Sequence, residues 1–231
     1  MGKLFLSGGG DEKQTFEVDE VFLQPVDKIL YVPIARPNND FESCLKWFTN
    51  AMSQHKKVSI QMLTDLKEDI GLGNYDAIYI GGGNTFKLLK IMKNAGFDKK
   101  LIDYYKSGGT VYGGSAGAII WGKDINTALI SKDADVNNVG LKDTSGFDAL
   151  NGIDVQCHYV DSQLKEHQEY IAKTGRNIIA IPEGSALLLE NGKITVLGTK
   201  PITLITKDAV KTYAVNEEIN LTGTKSNKIK K

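Results

Sequence analysis

Val111-Tyr112-Gly113-Gly114-Ser115-Ala116-Gly117-Ala118 reads as a β-strand that stops at glycines, presents one serine and re-enters a helix within two residues. This is the G-x-S-x-G pattern of a nucleophile elbow. A side chain used as a nucleophile must stand clear of the backbone on both sides, and here its neighbours are Gly114, Ala116 and Gly117. Such small residues allow a sharp, strained strand-to-helix turn without Cβ clashes. An ordinary glycine-rich βα turn has the same composition, so the rest of the chain must decide between the two.

Upstream, Asp76-Ala77-Ile78-Tyr79-Ile80 is a strand that also stops at glycines, Gly81-Gly82-Gly83. Asn84 suits the N-cap of a following helix that carries Leu88, Leu89 and Met92. A second helical pattern (Phe97, Leu101, Tyr105) leads through Gly108-Gly109 into the strand before Ser115. Earlier still, Lys3 to Leu6 is a strand ending in Ser7-Gly8-Gly9-Gly10. Lys28 to Val32 is a strand closed by Pro33, and Val58 to Met62 is another. Between them Phe41, Leu45, Phe48 and Met52 share one helical face. Strands alternating with helices predict βαβ units, an α/β fold with a mainly parallel sheet between two helical layers.

Downstream, residues 127–154 are rich in Asp, Asn and Gly and give weak strand signals. Val155-Gln156-Cys157-His158 is a strand end, and a helix around Asp161–Lys173 aligns Leu164, His167 and Ile171. Asn177 to Ile181 is a buried strand ended by Pro182-Glu183-Gly184. Ala186–Leu189 and Ile194–Leu197 flank an Asn-Gly turn, which predicts a C-terminal antiparallel hairpin. Ile202–Thr206 is expected to continue that antiparallel edge. From about Asn220 the chain is a polar, Lys-rich tail. With no internal repeat and no linker, residues 1–231 are expected to form a single catalytic domain.

Composition narrows the function. The chain is 41% apolar and 24% charged, as expected of a water-soluble protein with a large core. Its 28 basic and 28 acidic residues cancel, which argues against nucleic acid or an anionic membrane as partner. No apolar run approaches the ~20 residues that span a bilayer. The amino-terminal segment lacks the pattern of a signal peptide. Cys44 and Cys157 make no disulfide framework, so a cytoplasmic location is expected. There is no Cys/His spacing for zinc, and no cofactor is expected.

Ser115, His158 and Glu183 each follow a predicted strand. Parallel strands would bring all three to the carboxyl edge of the sheet, where open α/β folds bind ligands. A serine hydroxyl needs a histidine to take its proton, and that imidazole needs a carboxylate to fix its tautomer. Of the three histidines, His55 precedes a strand and His167 lies on a helical face with Leu164 and Ile171, which leaves His158. Cys157 and His158, as neighbours in a strand, point to opposite faces and cannot pair. Glu183 has the positional argument as the acid, with Asp154 and Asp161 as competitors. The glycine turn Gly81–Asn84 exposes backbone N–H groups at a helix start. It lacks the Gly-Lys-Ser/Thr of a phosphate loop and the third glycine of a dinucleotide site. Its N–H and that of Ala116 can form an oxyanion hole, worth ~10²–10³ in rate per donor. Ser7-Gly8-Gly9-Gly10 either lines the same cleft or only turns the chain.

These residues resemble the peptidase E (dipeptidase E) family, related to cyanophycinase. The likeness runs from Lys3 to about Leu197. It is carried by Gly81-Gly82-Gly83-Asn84-Thr85-Phe86, Gly113-Gly114-Ser115-Ala116-Gly117-Ala118, His158 and Pro182-Glu183-Gly184. The resemblance implies a fold similar to class I glutamine amidotransferases, with serine in place of their cysteine. It implies Ser115 as nucleophile, His158 as base, Glu183 as orienting acid, and Gly83 and Ala116 as oxyanion donors. Small peptides are the implied substrates. In peptidase E proper a tryptophan commonly stands at the position of Gly114, and an arginine after the histidine holds the substrate aspartate. The run from Tyr159 to Lys173 contains no arginine, so aspartyl specificity is not carried over. Gly82, Asn84 and Gly114, with the cations Lys165 and Arg176 as stand-ins for that arginine, are the candidate substrate contacts.

Two other readings use the same residues. An esterase of the α/β-hydrolase type would place its histidine after its acid, and here Glu183 follows the last histidine. Contact of His158 with Asp154 would favour it. A catalytically silent relative that binds a metabolite would leave Ser115 inert to fluorophosphonates.

Overall fold

A computed structural model of the chain describes residues 1–36, 38–130 and 134–221. The expected polar tail from about residue 220 therefore lies, beyond 221, outside the described residues. The chain opens with β1 (Lys3–Ser7), α1 (Phe16–Leu23), β2 (Lys28–Val32), α2 (Phe41–Ser53) and β3 (Ser59–Met62). It continues with β4 (Ala77–Ile80), α3 (Thr85–Ala95), α4 (Phe97–Lys106), β5 (Thr110–Gly114) and the short α5 (Ala116–Ile119). Then come β6 (Asp154–Cys157), α6 (Leu164–Thr174) and β7 (Ile178–Ile181). Four strands follow: β8 (Ser185–Glu190), β9 (Lys193–Gly198), β10 (Ile202–Ile205) and β11 (Val210–Tyr213).

Seven strands form one sheet in the order β3-β2-β4-β5-β1-β8-β9. The first five are parallel, and the β8–β9 hairpin adds antiparallel to β1. The inner parallel strands β2, β4, β5 and β1 are apolar almost throughout because both of their faces are covered, whereas the edge strand β3 leaves Ser59 and Gln61 exposed. Alternation sends Leu4, Leu6, Leu30, Val32, Ile78, Ile80 and Val111 into one core with Phe86, Leu89 and Met92 of α3 and Leu101 of α4. The opposite set, Phe5, Ile29, Tyr31, Tyr79 and Tyr112, packs with Phe22 of α1 and Phe48 and Met52 of α2. The α/β/α layering is thus a direct consequence of period-two burial on a two-faced sheet. Among the described residues no helix is long and apolar enough to cross a membrane.

Two features depart from the sequence reading. The helix α1 is not among the expected elements: Val18, Phe22 and Leu23 are its buried apolar residues, and acids interrupt the pattern, one of them, Asp19, itself buried. The strand after the hairpin does not continue the hairpin's edge either. β10 leaves it and pairs antiparallel with β7, inside a second sheet of order β11-β10-β7-β6. Two of the three crossings between the sheets share one corner, made by Pro182–Gly184 on the way into β8 and by Thr199–Pro201 on the way out of β9. There Thr199 N–H donates to the Gly184 carbonyl (3.1 Å), and Ser185 Oγ exchanges hydrogen bonds with the Lys200 backbone (2.8 and 2.9 Å). All four residues of β7 are buried, so its free edge needs a backbone partner, and the buried β10 supplies one.

Candidate active site

Ser115 sits between β5 and α5 with φ 51° and ψ −110°, outside the conformations ordinary residues adopt. Such a residue costs of order 1–3 kcal/mol and persists only where its surroundings fix it. Here they do. Its N–H donates to the Ser7 carbonyl of β1 (3.0 Å), and its carbonyl accepts from Ala118 and Ile119 (2.8 and 3.0 Å). The flanking glycines permit the approach: a Cβ at Gly113 would lie 2.2 Å from the Gly117 carbonyl oxygen, and one at Gly117 2.4 Å from that of Ile80. The hydroxyl is therefore held up at the end of the strand, clear of its own backbone.

The other two candidates come from the second sheet, not from the same edge as Ser115. β6 and β7 run parallel, and their carboxyl ends meet the end of β1. His158 N–H donates to the Gly8 carbonyl, Gly184 N–H to that of Gly9 (3.0 Å each), and Gly8 N–H to that of Ser185 (2.9 Å). The Ser7–Gly10 turn thus joins the two sheets and lines the cleft. It also holds the histidine, since a Cβ at Gly9 would lie 2.5 Å from His158 Cε1.

The resulting chain of contacts is short. Ser115 Oγ lies 2.7 Å from His158 Nε2, and His158 Nδ1 lies 2.9 Å from Glu183 Oε1. An ionised carboxylate only accepts, so Nδ1 carries the proton and Nε2 presents its lone pair to the serine hydroxyl. Glu183 Oε2 accepts a further hydrogen bond from Gln14 Nε2 (3.1 Å). The hydrogen bond from His158 is the chief cause holding the Glu183 carboxyl below its usual range, against partial desolvation. Such an arrangement can draw the proton from Ser115 as its oxygen attacks an electrophile.

Asp154, the competing acid, is at the far end of β6. It is buried and accepts from Arg176 Nε (2.7 Å), Tyr170 Oη (2.7 Å) and Asp124 N–H (2.8 Å). The carboxylate in contact with His158 is Glu183, which is the chain order that does not fit the esterase reading.

Beside Ser115 lies the glycine turn after β4. A Cβ at Gly82 would approach Ser115 Cβ to 3.2 Å, which sets this turn directly against the serine. Asn84 Oδ1 caps α3 by accepting from Lys87 N–H (2.9 Å). Among the described residues the N–H groups of Gly83 and Ala116 have no acceptor. Two cavities meet at Ser115 and His158. One, of about 370 Å³, is lined by Tyr31, Tyr79, Trp47 and Arg36, with Gly82 and Gly114. The other, of about 750 Å³, runs past Asn84, Val136, Gln163 and Lys200.

The family follows from comparison with known proteins. Residues 4–197 match the model of peptidase family S51. The chain belongs to peptidase family S51. It is a serine-type peptidase, a hydrolase. Peptidase E of Actinobacillus pleuropneumoniae serotype 5b (strain L20) is 28% identical over 210 residues, covering 84% of this chain and 85% of that one. Peptidase E of Haemophilus influenzae (strain PittGG) is 30% identical over 190 residues, covering 75% and 76%. The crystal structure of a peptidase from an acI-B1 Actinobacterium shares the fold, with a TM-score of 0.67 at 19% identity over 95% of this chain and 97% of that one. A protein from Listeria monocytogenes EGD-e does so at 0.66 and 22% identity, covering 87% and 100%.

The two cations expected at the substrate, Lys165 and Arg176, line neither cavity at Ser115. Lys165 projects from α6 into solvent, its Nζ 3.9 Å from Glu169 Oε1. Arg176 is held at the amino end of β6 by Asp154, with Asp124 3.5 Å away. Sequence reasoning missed Arg36 and Gln14. Arg36 follows the end of β2, so the rule that pointed to Ser115, His158 and Glu183 applies to it as well. Gln14 lies in a loop and carries no pattern of its own.

Proposed function

We propose that this S51 peptidase hydrolyses small peptides through a Ser115–His158–Glu183 triad and an acyl-enzyme. His158 Nε2 takes the Ser115 proton as Oγ attacks the scissile carbonyl, and Glu183 stabilises the imidazolium that forms. The Gly83 and Ala116 N–H groups receive the oxyanion. His158 then gives the proton to the leaving amine, and water repeats the attack on the acyl-enzyme. The observation that carries this reading is the pair of contacts at His158, 2.7 Å to Ser115 and 2.9 Å to Glu183. Cavities of about 370 and 750 Å³ suit a substrate of a few residues. A reducing, cytoplasmic setting is in keeping with Cys44 and Cys157, both free and buried.

The test is Ser115→Ala assayed on a dipeptide library. The kcat should fall by roughly 10³–10⁶ with the melting temperature retained. Undiminished hydrolysis by the variant would refute the assignment.

A further inference from the structure

The chain has two arginines, and the structure treats them differently. Arg176 is committed to Asp154 and Tyr170. Arg36 has no such commitment among the described residues. Among the described residues its guanidinium makes no hydrogen bond and no ion pair, yet its side chain lines both cavities that meet at Ser115. Its backbone is fixed: the N–H donates to the Pro33 carbonyl (3.3 Å), and the carbonyl accepts from Lys87 Nζ. Next to it, the Ala35 carbonyl accepts from Asn84 N–H (2.9 Å), which fastens this turn to the glycine turn beside the serine. Asp40, the acid whose charge Arg36 feels, already caps α2 by accepting from Ser43 N–H (3.2 Å).

A guanidinium is a planar fork of donors that stays charged at any working pH, and a carboxylate is the group in a peptide that matches it. We propose that Arg36 is the specificity-determining residue of the site and takes a carboxylate of the peptide substrate. That carboxylate is either an acidic side chain or the free carboxyl terminus. The inference rests on Ser115 as the reacting centre. The cation thus comes from the turn after β2 and not from the segment after His158. The aromatic walls Tyr31, Tyr79 and Trp47 carry the apolar part of the same peptide.

Titration calorimetry on the Ser115→Ala protein tests it without requiring turnover. The probes are Asp-Leu, Asn-Leu and their carboxyl-terminal amides, measured with and without Arg36→Gln. Arg36→Gln should weaken binding roughly 10–100-fold for peptides that carry the matched carboxylate and leave the others unchanged. A loss that tracks Asp against Asn assigns the side chain; one that tracks acid against amide assigns the terminus. Arg36→Lys should recover part of the loss. Equal affinity of all four peptides in the presence and absence of Arg36, an equal loss across all four, no binding by any, or the same selective loss from Lys200→Gln would overturn the proposal. Reaction of the parent protein with a neutral fluorophosphonate reports on Ser115 separately. An inert parent would sink the nucleophile reading, while the binding series still judges Arg36.

Discussion

The paired strands β6 and β7 carry a polar cluster at each end, and the two clusters are built differently. At the amino edge Asp154 is fully buried and held by Arg176, Tyr170 and the Asp124 amide. At the carboxyl edge the His158 and Glu183 side chains each keep 42% of their exposure, and the last atom in the chain is a serine hydroxyl. A buried carboxylate held by three fixed donors anchors the fold. One that holds an imidazole, whose second nitrogen faces a hydroxyl, can steer a proton. The same pair of strands therefore builds a clamp at one end and an open Ser–His–Glu contact chain at the other.

That contrast can be broken from either side. Glu183→Gln should have the largest effect, lowering kcat by roughly 10⁴ because the amide supports the wrong imidazole tautomer, with little change in urea midpoint. Steady-state kinetics and urea unfolding on one preparation check both halves. Arg176→Met should do the reverse. It leaves the Asp154 carboxylate buried without its counter-charge, costing about 3 kcal/mol in urea unfolding, with kcat/KM of the folded fraction retained. An Arg176→Met enzyme with intact stability, or with kcat as low as Glu183→Gln, would mean the two ends are not functionally separate.

Much of this was legible in the sequence, for identifiable reasons. Strands that run apolar on both faces and stop at glycines, such as Ala77–Ile80 and Thr110–Gly114, announce a parallel sheet, and the carboxyl edge is where such folds bind ligands. That rule picks out Ser115, His158 and Glu183, whose side chains the structure brings into contact. What it lacked was pairing partners. Nothing in Ile202–Ile205 says that it lies beside β7 rather than beside β9, because both positions ask for a short buried strand. Hence one expected sheet edge is in fact two sheets meeting at Gly8 and Gly9. Long-range partners of lone polar residues were equally silent. Gln14 reaches Glu183 across 169 positions, and the ion pair of Arg176 with Asp154 is what takes that arginine away from the substrate. Neither carries a local pattern.

The central claim is that Ser115, activated by His158, is the nucleophile. Treating the protein with a fluorophosphonate and mapping the adduct by peptide mass spectrometry tests it most directly. The account predicts one adduct, on the peptide containing Ser115, formed far more slowly in His158→Asn and absent in Ser115→Ala. An adduct on another residue, or labelling of Ser115 at the same rate without His158, would contradict it.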